Sequence, residues 1–264
     1  MTREDLITAI QNFVDTAPGN TISEEIALSP GCVGLKLFGT PIFGFGAPDD
    51  VLFESFQAPG VIGSHFLPPL AWMPGAKTVI SFFLPYTETI KAANAACHPW
   101  PAEEWLHGRA EGQLLIGAIY GYIREFLNEA GYQCLVPTQD SRFQSGENTS
   151  NWSERHIAFA TGLGTFGLSK GLITEAGICG RFGSVLTDLH LPQDTRPYEN
   201  SHAYCNMCGG CIPRCPVSAI SFAGKDSALC ADFMDKSYEK FQPRYGCGKC
   251  QVGVACESGI PKVD

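Results

Sequence analysis

Cys205-Asn-Met-Cys208-Gly-Gly-Cys211-Ile-Pro-Arg-Cys215-Pro216 is the stretch from which the reading of this chain starts. Short, equal intervals let one loop offer three thiolates to three corners of a metal–sulfur cube. The fourth cysteine is set one residue further on, and the proline turns the chain behind it. This C-x2-C-x2-C-x3-C-P run is the pattern of a polypeptide that holds two [4Fe–4S] clusters, its fourth cysteine ligating the other cube. The chain has 12 cysteines in 264 residues. Beyond the run, Cys230, Cys247 and Cys250 supply the three further ligands of the second cube, and Cys256 completes the first. The expected partition is therefore Cys205, Cys208, Cys211 and Cys256 for cluster one, and Cys215, Cys230, Cys247 and Cys250 for cluster two. Zinc is the rival reading of C-x2-C pairs, but a zinc site uses four cysteines, typically as two such pairs, and does not call for three successive intervals ending in proline. Cys32, Cys97, Cys134 and Cys179 are scattered and read as buried free thiols.

Composition frames this. Hydrophobic residues make up 44% and charged residues 17%, an ordinary globular balance. The formal charge of −9 is unevenly spread. Residues 1–200 carry 11 Lys/Arg against 21 Asp/Glu, and residues 201–264 carry 7 against 6. No basic stripe supports a nucleic-acid partner. The start, Met1-Thr-Arg-Glu-Asp, shows neither a secretion signal nor a twin-arginine pair, and no apolar run is long enough to span a bilayer. The expectation is a cytoplasmic protein without a membrane partner, whose cysteines serve metal rather than disulfides.

The larger part of the chain mixes helices and strands. Leu6, Ile7, Ile10 and Phe13 give residues 2–16 a helical face. Residues 29–75 read as loops with short strands. Lys77 to Pro85 is a buried sheet strand, and Arg109 to Ala130 a long helix stopped by Gly131. Cys134 to Pro137 is a strand, 138–151 a polar surface or site loop, Glu154 to Thr161 a helix capped by Ser153, and Ser184 to Asp188 another strand. Residues 192–201 form a linker. The fold class is α/β or α+β over residues 1–195, followed by a ferredoxin-like two-cluster module over 196–264.

Gly162-Leu-Gly-Thr-Phe-Gly167 spells G-x-G-x-x-G, with Asp188 at the distance of a ribose-binding acid. A dinucleotide fingerprint has to follow a strand and open a helix. Here a helix precedes the glycines, so they end it. They read as a tight turn, either beside a large flat ligand or beside another helix.

Taken in order, Trp152-Ser-Glu-Arg-His156, Ala160 to Gly167, Ser184 to Asp188, the cysteine run and Tyr245-Gly-Cys-Gly-Lys-Cys-Gln251 resemble the epoxyqueuosine reductase and reductive dehalogenase superfamily. Met73 to Pro85 is similar to its strand region. The resemblance implies a nitroreductase-like domain holding cobalamin, fed with electrons by the two clusters. By the same resemblance Gly162, Leu163, Gly164 and Thr165 would lie against the corrin, and Glu154 and Arg155 would start the helix leading there. His156 reads as a core imidazole or a cofactor contact. Arg155 reads as an anchor for a carboxamide or anion, or as a partner in an ion pair. The family's acidic proton donor falls on Asn148 without a gap, and on Asp140 with an insertion. Asp140 reads equally as a proton donor or as a turn cap. His65, His98 and His107 lie in loop-like contexts. Glu257 stands where the family pattern has proline.

The leading expectation is an iron–sulfur reductase that passes electrons from two [4Fe–4S] clusters to cobalamin to reduce a small-molecule substrate. Its electron donor would be a ferredoxin or flavodoxin. The alternatives are an electron-transfer or corrinoid-handling protein acting on a partner such as a corrinoid protein, and an elaborated ferredoxin whose larger domain binds flavin or nothing. The acidic body and the chain's end soon after Cys256 set tRNA aside as a partner.

Overall fold

The structure is a computed structural model that describes residues 1–146 and 149–262. Its centre is a four-stranded sheet of β1 (Ile42–Gly46), β2 (Thr78–Pro85), β3 (Cys134–Leu135) and β6 (Gly180–Thr187). Their order is β1-β2-β6-β3, and every pair is antiparallel. β2 and β6 pair along their whole length, from Thr78 opposite Thr187 to Pro85 opposite Gly180. Alternation explains why β2 reads as one unbroken apolar run. Ile80, Phe82 and Leu84 enter one core, while Val79 enters a second core on the other face. Both faces of the strand are covered, so neither set of positions needs to be polar.

The first core is closed by α1 (Arg3–Thr16) and α3 (Glu103–Glu129). Thr2 and Asp5 form a reciprocal capping box that starts α1, and Leu6, Ile10 and Val14 face inward. The long helix starts six residues before its sequence-read boundary, with Glu103 and Glu104 in the first turn, where the helix dipole favours acids. Its buried stripe is Leu115, Ile116, Ile119, Tyr120, Ile123 and Leu127. Leu114, the first of three successive apolar residues on this helix, is 74% exposed. Three apolar residues in a row leave the phase of a helix open to a one-residue shift, and packing on the sheet decides it.

The second core is closed by α4 (Glu154–Ala160) and by Trp72 and Trp152, whose rings meet edge to face at 6.0 Å. After α4 the chain makes the hairpin β4 (Gly164–Phe166) and β5 (Leu172–Thr174). The G-x-G-x-x-G stretch therefore closes a helix and enters a strand, the reverse of a dinucleotide fingerprint.

Residues 188–210 form no helix or strand. They are stitched to the larger lobe by Asp194, which pairs with Arg3 at 2.7 Å and accepts from the Phe45 amide at 2.9 Å. The C-terminal part contains a one-turn helix (Cys211–Arg214), a small hairpin of β7 (Ile220–Ser221) and β8 (Gly224–Lys225), and α5 (Ser227–Phe241). Asp226 caps α5 by accepting from the Ala228 and Leu229 amides. Val252, from the last turns, is fully buried in the same core as α1 and α3. Among the described residues no helix is long and apolar enough to cross a membrane.

One junction holds the C-terminal turns to the larger lobe. The Ile178 amide donates to the Cys256 carbonyl at 2.9 Å. Gly177 has a φ of +87°, and a Cβ there would stand 2.2 Å from the Glu257 carbonyl oxygen. Gly177→Ala adds left-handed strain to that clash. It is expected to destabilise the fold by more than about 1 kcal/mol, measured as a fall in the urea midpoint; an unchanged midpoint would contradict this packing.

Candidate iron–sulfur and redox site

The C-terminal thiols gather in two sets. Cys205, Cys208, Cys211 and Cys256 line one small cavity, whose other wall includes Ile173 and Ile178 of the larger lobe. Burial pushes the Cys256 thiol up to about 12, and the thiolates of Cys205, Cys211 and Cys208 add to the shift. Cys256 is thus within electrostatic reach of the other three sulfurs. The second set adjoins it. Burial raises the Cys250 thiol, with Cys230 and Cys215 contributing in the same direction. Burial also pushes the Cys247 thiol up to about 12, with Cys250 and Cys230 adding to it. Cys211 and Cys250 interact across the boundary between the sets. Of the eight thiols only Cys208 is exposed.

Among the described residues, no three His, Cys, Asp or Glu side chains converge on a single metal ion.

The loop carrying Cys247 and Cys250 is fixed by the larger lobe. Gly248 has a φ of +67°, and a Cβ there would meet the Trp105 ring at 1.9 Å. Lys249 is fully buried. Its ammonium donates to the Asn94 carbonyl at 2.7 Å and to Asn94 Oδ1 at 2.8 Å. Asn94, on α2 (Glu88–Ala96), in turn donates from Nδ2 to the Cys247 carbonyl at 3.0 Å. None of these partners was read from the sequence. A lysine inside a Cys-x-x-Cys pair was the one available signal, because a ligand loop rarely buries a charge without a purpose.

The residues assigned to the larger lobe are placed as follows. Glu154 does not face an open site. Its carboxyl group accepts from Ser184 Oγ at 2.5 Å and from the Tyr120 hydroxyl at 3.1 Å. Trp152 Nε1 donates to the same Ser184 Oγ at 2.9 Å. Burial raises Glu154 to about 7, against the lowering effect of these two hydroxyls. Among the described residues Arg155 makes no carboxylate pair; its Nη1 donates to the Lys170 carbonyl at 2.8 Å, holding the β4–β5 turn. Arg155 is exposed, and the Cys250 and Cys230 sulfurs act to raise its guanidinium, which places it beside the second thiol set. His156 has the surroundings of a core imidazole, packed on Phe56 and Phe166 with ring centroids 5.1 and 4.8 Å away. Burial, then Arg155, lowers it to about 4. Ser153 stands at the helix start, but its hydroxyl bonds His156 Nδ1 at 2.8 Å and caps no backbone amide.

The glycine stretch is covered by protein. Leu163 is 7% exposed and Thr165 fully buried. Thr165 Oγ1 accepts from the Tyr204 amide at 2.8 Å, and a Cβ on Gly164 would meet the Ile173 carbonyl oxygen at 2.1 Å. A Cβ on Gly162 would stand 3.5 Å from the Thr195 carbonyl oxygen. Leu163, Gly164 and Thr165 thus pack on the chain's own hairpin and on residues 194–204, while Gly162 is half-buried.

Asp140 adopts the turn-capping arrangement. Its Oδ1 accepts from the Arg142 amide at 2.9 Å and from Arg142 Nε at 2.8 Å. The Arg142 guanidinium lowers it to about 2. A carboxyl group so held is ionised at neutral pH and carries no proton to donate. Asn148, the other position considered for the acid, lies outside the described residues. His107, far from being a loop ligand, is buried between the Leu28 amide and Glu111.

No family model matches the chain. A curated relative, the epoxyqueuosine reductase of Bacillus cereus, is 26% identical over 204 residues, covering 73% of this chain and 51% of the relative. The chain thus spans about half the length of that relative. An epoxyqueuosine reductase solved with a tRNA-Tyr epoxyqueuosine-modified stem loop has a TM-score of 0.54 at 17% identity, covering 84% of this chain and 63% of its own. A catabolic reductive dehalogenase has the same TM-score of 0.54 at 16% identity, covering 83% of this chain and 30% of its own. The mixed α/β fold is that of these structures. The dismissal of tRNA as a partner is corrected by the first of them. Net charge averages over a whole surface and does not exclude a local nucleic-acid contact.

Glu154 generates a pH prediction. Its pKa is about 7 when folded against an ordinary 4.5. A carboxyl group raised in this way contributes stability that is full below 4.5 and is lost as pH rises through about 7. Thermal denaturation across pH 4.5–8 should show the wild-type melting point falling more steeply than that of Glu154→Gln. Parallel curves would contradict the burial of this acid.

Proposed function

We propose that this chain, a member of the superfamily of epoxyqueuosine reductases and reductive dehalogenases, is an oxidoreductase that moves single electrons through two [4Fe–4S] clusters. Cys205, Cys208, Cys211 and Cys256 would hold the first, and Cys215, Cys230, Cys247 and Cys250 the second. The observation that carries this reading is the cavity lined by the first four thiols together. Cys256 comes from 41 residues beyond Cys215 in the sequence and still meets the first three. Two adjoining clusters, one beside the exposed Cys208 and one beneath Trp105, would lead charge from the surface inward. The division at 195/196, with the later residues as a ferredoxin-like module, belongs to this proposal.

When bound, the clusters supply reversible one-electron storage, with potentials set by net charge, hydrogen bonds to the sulfurs and exposure. The protein's own part is to fix the thiolates, exclude water with Ile173 and Ile178, and place neighbouring charges. Of the residues the resemblance places against cobalamin, Leu163, Gly164 and Thr165 are buried and Gly162 is half-buried, so no step is derived through that group.

Identity with the Bacillus cereus enzyme favours a second reading of the same oxidoreductase, in which the electrons reduce epoxyqueuosine in tRNA. Both readings are tested in one anaerobic series. The reconstituted full chain should take up about two electrons from dithionite, and Cys256→Ser about one. No uptake, or equal uptake by the two proteins, would contradict the cluster assignment. Reoxidation of the reduced chain by a stem loop bearing epoxyqueuosine, with loss of the epoxide, would establish the second reading. A reduced chain that persists alongside intact epoxide would exclude it.

A further inference from the structure

We propose that Lys249 sets the reduction potential of the second cluster, held in place for that purpose by Asn94, so that the second cluster is reduced before the first. This rests on the cluster assignment above and concerns residues that the assignment does not use.

Lys249 lies between two ligands of one proposed cluster, Cys247 and Cys250, and is fully buried. A buried ammonium without a carboxylate is costly. Both acceptors of Lys249 are neutral oxygens of a single residue, Asn94. Its charge is therefore oriented but not cancelled. Asn94 is itself fully buried and also accepts from the Ala102 amide at 3.1 Å. With its bond to the Cys247 carbonyl, it ties the ammonium and the ligand loop to one helix. Other cations border the same thiols. The half-buried Lys225 lies beside Cys250 and Cys230, and the exposed Arg155 beside the same pair.

The first thiol set has different surroundings. Its cavity is lined by Leu168, Ile173, Ile178 and Val254. Lys91, which reaches Ser258 Oγ at 2.7 Å just beyond Cys256, is paired with Glu88 at 2.5 Å.

Reduction of a [4Fe–4S] cluster takes one electron from a low-potential donor and adds one negative charge to a group that four thiolates already make anionic. A fixed buried cation stabilises the reduced form more than the oxidised form, and the low dielectric of the interior leaves that effect little screened. The second cluster, with the buried Lys249 between two of its ligands, is thus the better electron acceptor. Electrons entering at the exposed Cys208 side would come to rest inside.

The test is a dithionite titration of the reconstituted full chain, followed by electron paramagnetic resonance, with iron measured on every sample. Lys249→Met removes the charge and keeps the length of the stem. Asn94→Asp keeps the ammonium and sets a carboxylate against it. Lys236→Met, at an exposed site paired with Asp232, serves as the control. In both Lys249→Met and Asn94→Asp, the reduced-to-oxidised ratio of one cluster at a fixed potential should fall at least tenfold, about 59 mV for one electron. The other cluster and the control should not move. Full iron content with unmoved potentials in both variants overturns the proposal. If Lys249→Met fails to assemble its second cluster, Asn94→Asp decides by the same criterion. A wild-type chain without clusters shows in the iron assay, and refutes the cluster assignment rather than the role of Lys249.

Discussion

The backbone of Gly177 and Ile178 lies directly against that of Cys256 and Glu257, and the rest of the site depends on this junction. No side chain fits between the two segments. β5 and β6 are anchored in the larger lobe, so the strand connection at 175–179 becomes a fixed wall. Against it Cys256 is brought to Cys205, Cys208 and Cys211. Cys179 reinforces the seam, its thiol donating to the Gln251 carbonyl at 2.8 Å. The thiol sets are therefore not a loose appendage but a surface shared between the two ends of the chain.

A second clamp works from the opposite side. Trp105 leaves room for nothing larger than glycine at position 248, and Asn94 grips both Lys249 and the Cys247 carbonyl. α2 and α3 thus shape the second thiol set as the strand connection shapes the first. The electrostatics differ in step with this. One set has an apolar wall and an exposed member, the other a buried ammonium and further cations. Two chemically identical groups in such surroundings have different affinities for an electron, and that difference gives a transfer path its direction.

Legibility in the sequence followed the range of the interaction. That Cys205, Cys208 and Cys211 share one cavity was readable because their spacing is short and local. The strand at 78–85 was readable because burial on both faces leaves an unbroken apolar run. The role of the glycines at 162–167 as a helix end was also local. What escaped was decided by distant segments. Thr165 is covered by Tyr204, Glu154 is enclosed by Tyr120 and Ser184, and Asp140 is held by Arg142, which also donates to the Trp72 carbonyl at 2.9 Å. No periodicity marks such partners. The same holds for Lys249, whose burial depends on an asparagine 155 positions earlier.

The most direct measurement is the count of iron and acid-labile sulfide in the oxygen-free, reconstituted full chain. About eight of each per chain is the result the proposed cluster assignment predicts. One zinc ion in their place, or about four of each, would contradict the paired-cluster architecture on which the proposed electron path is built.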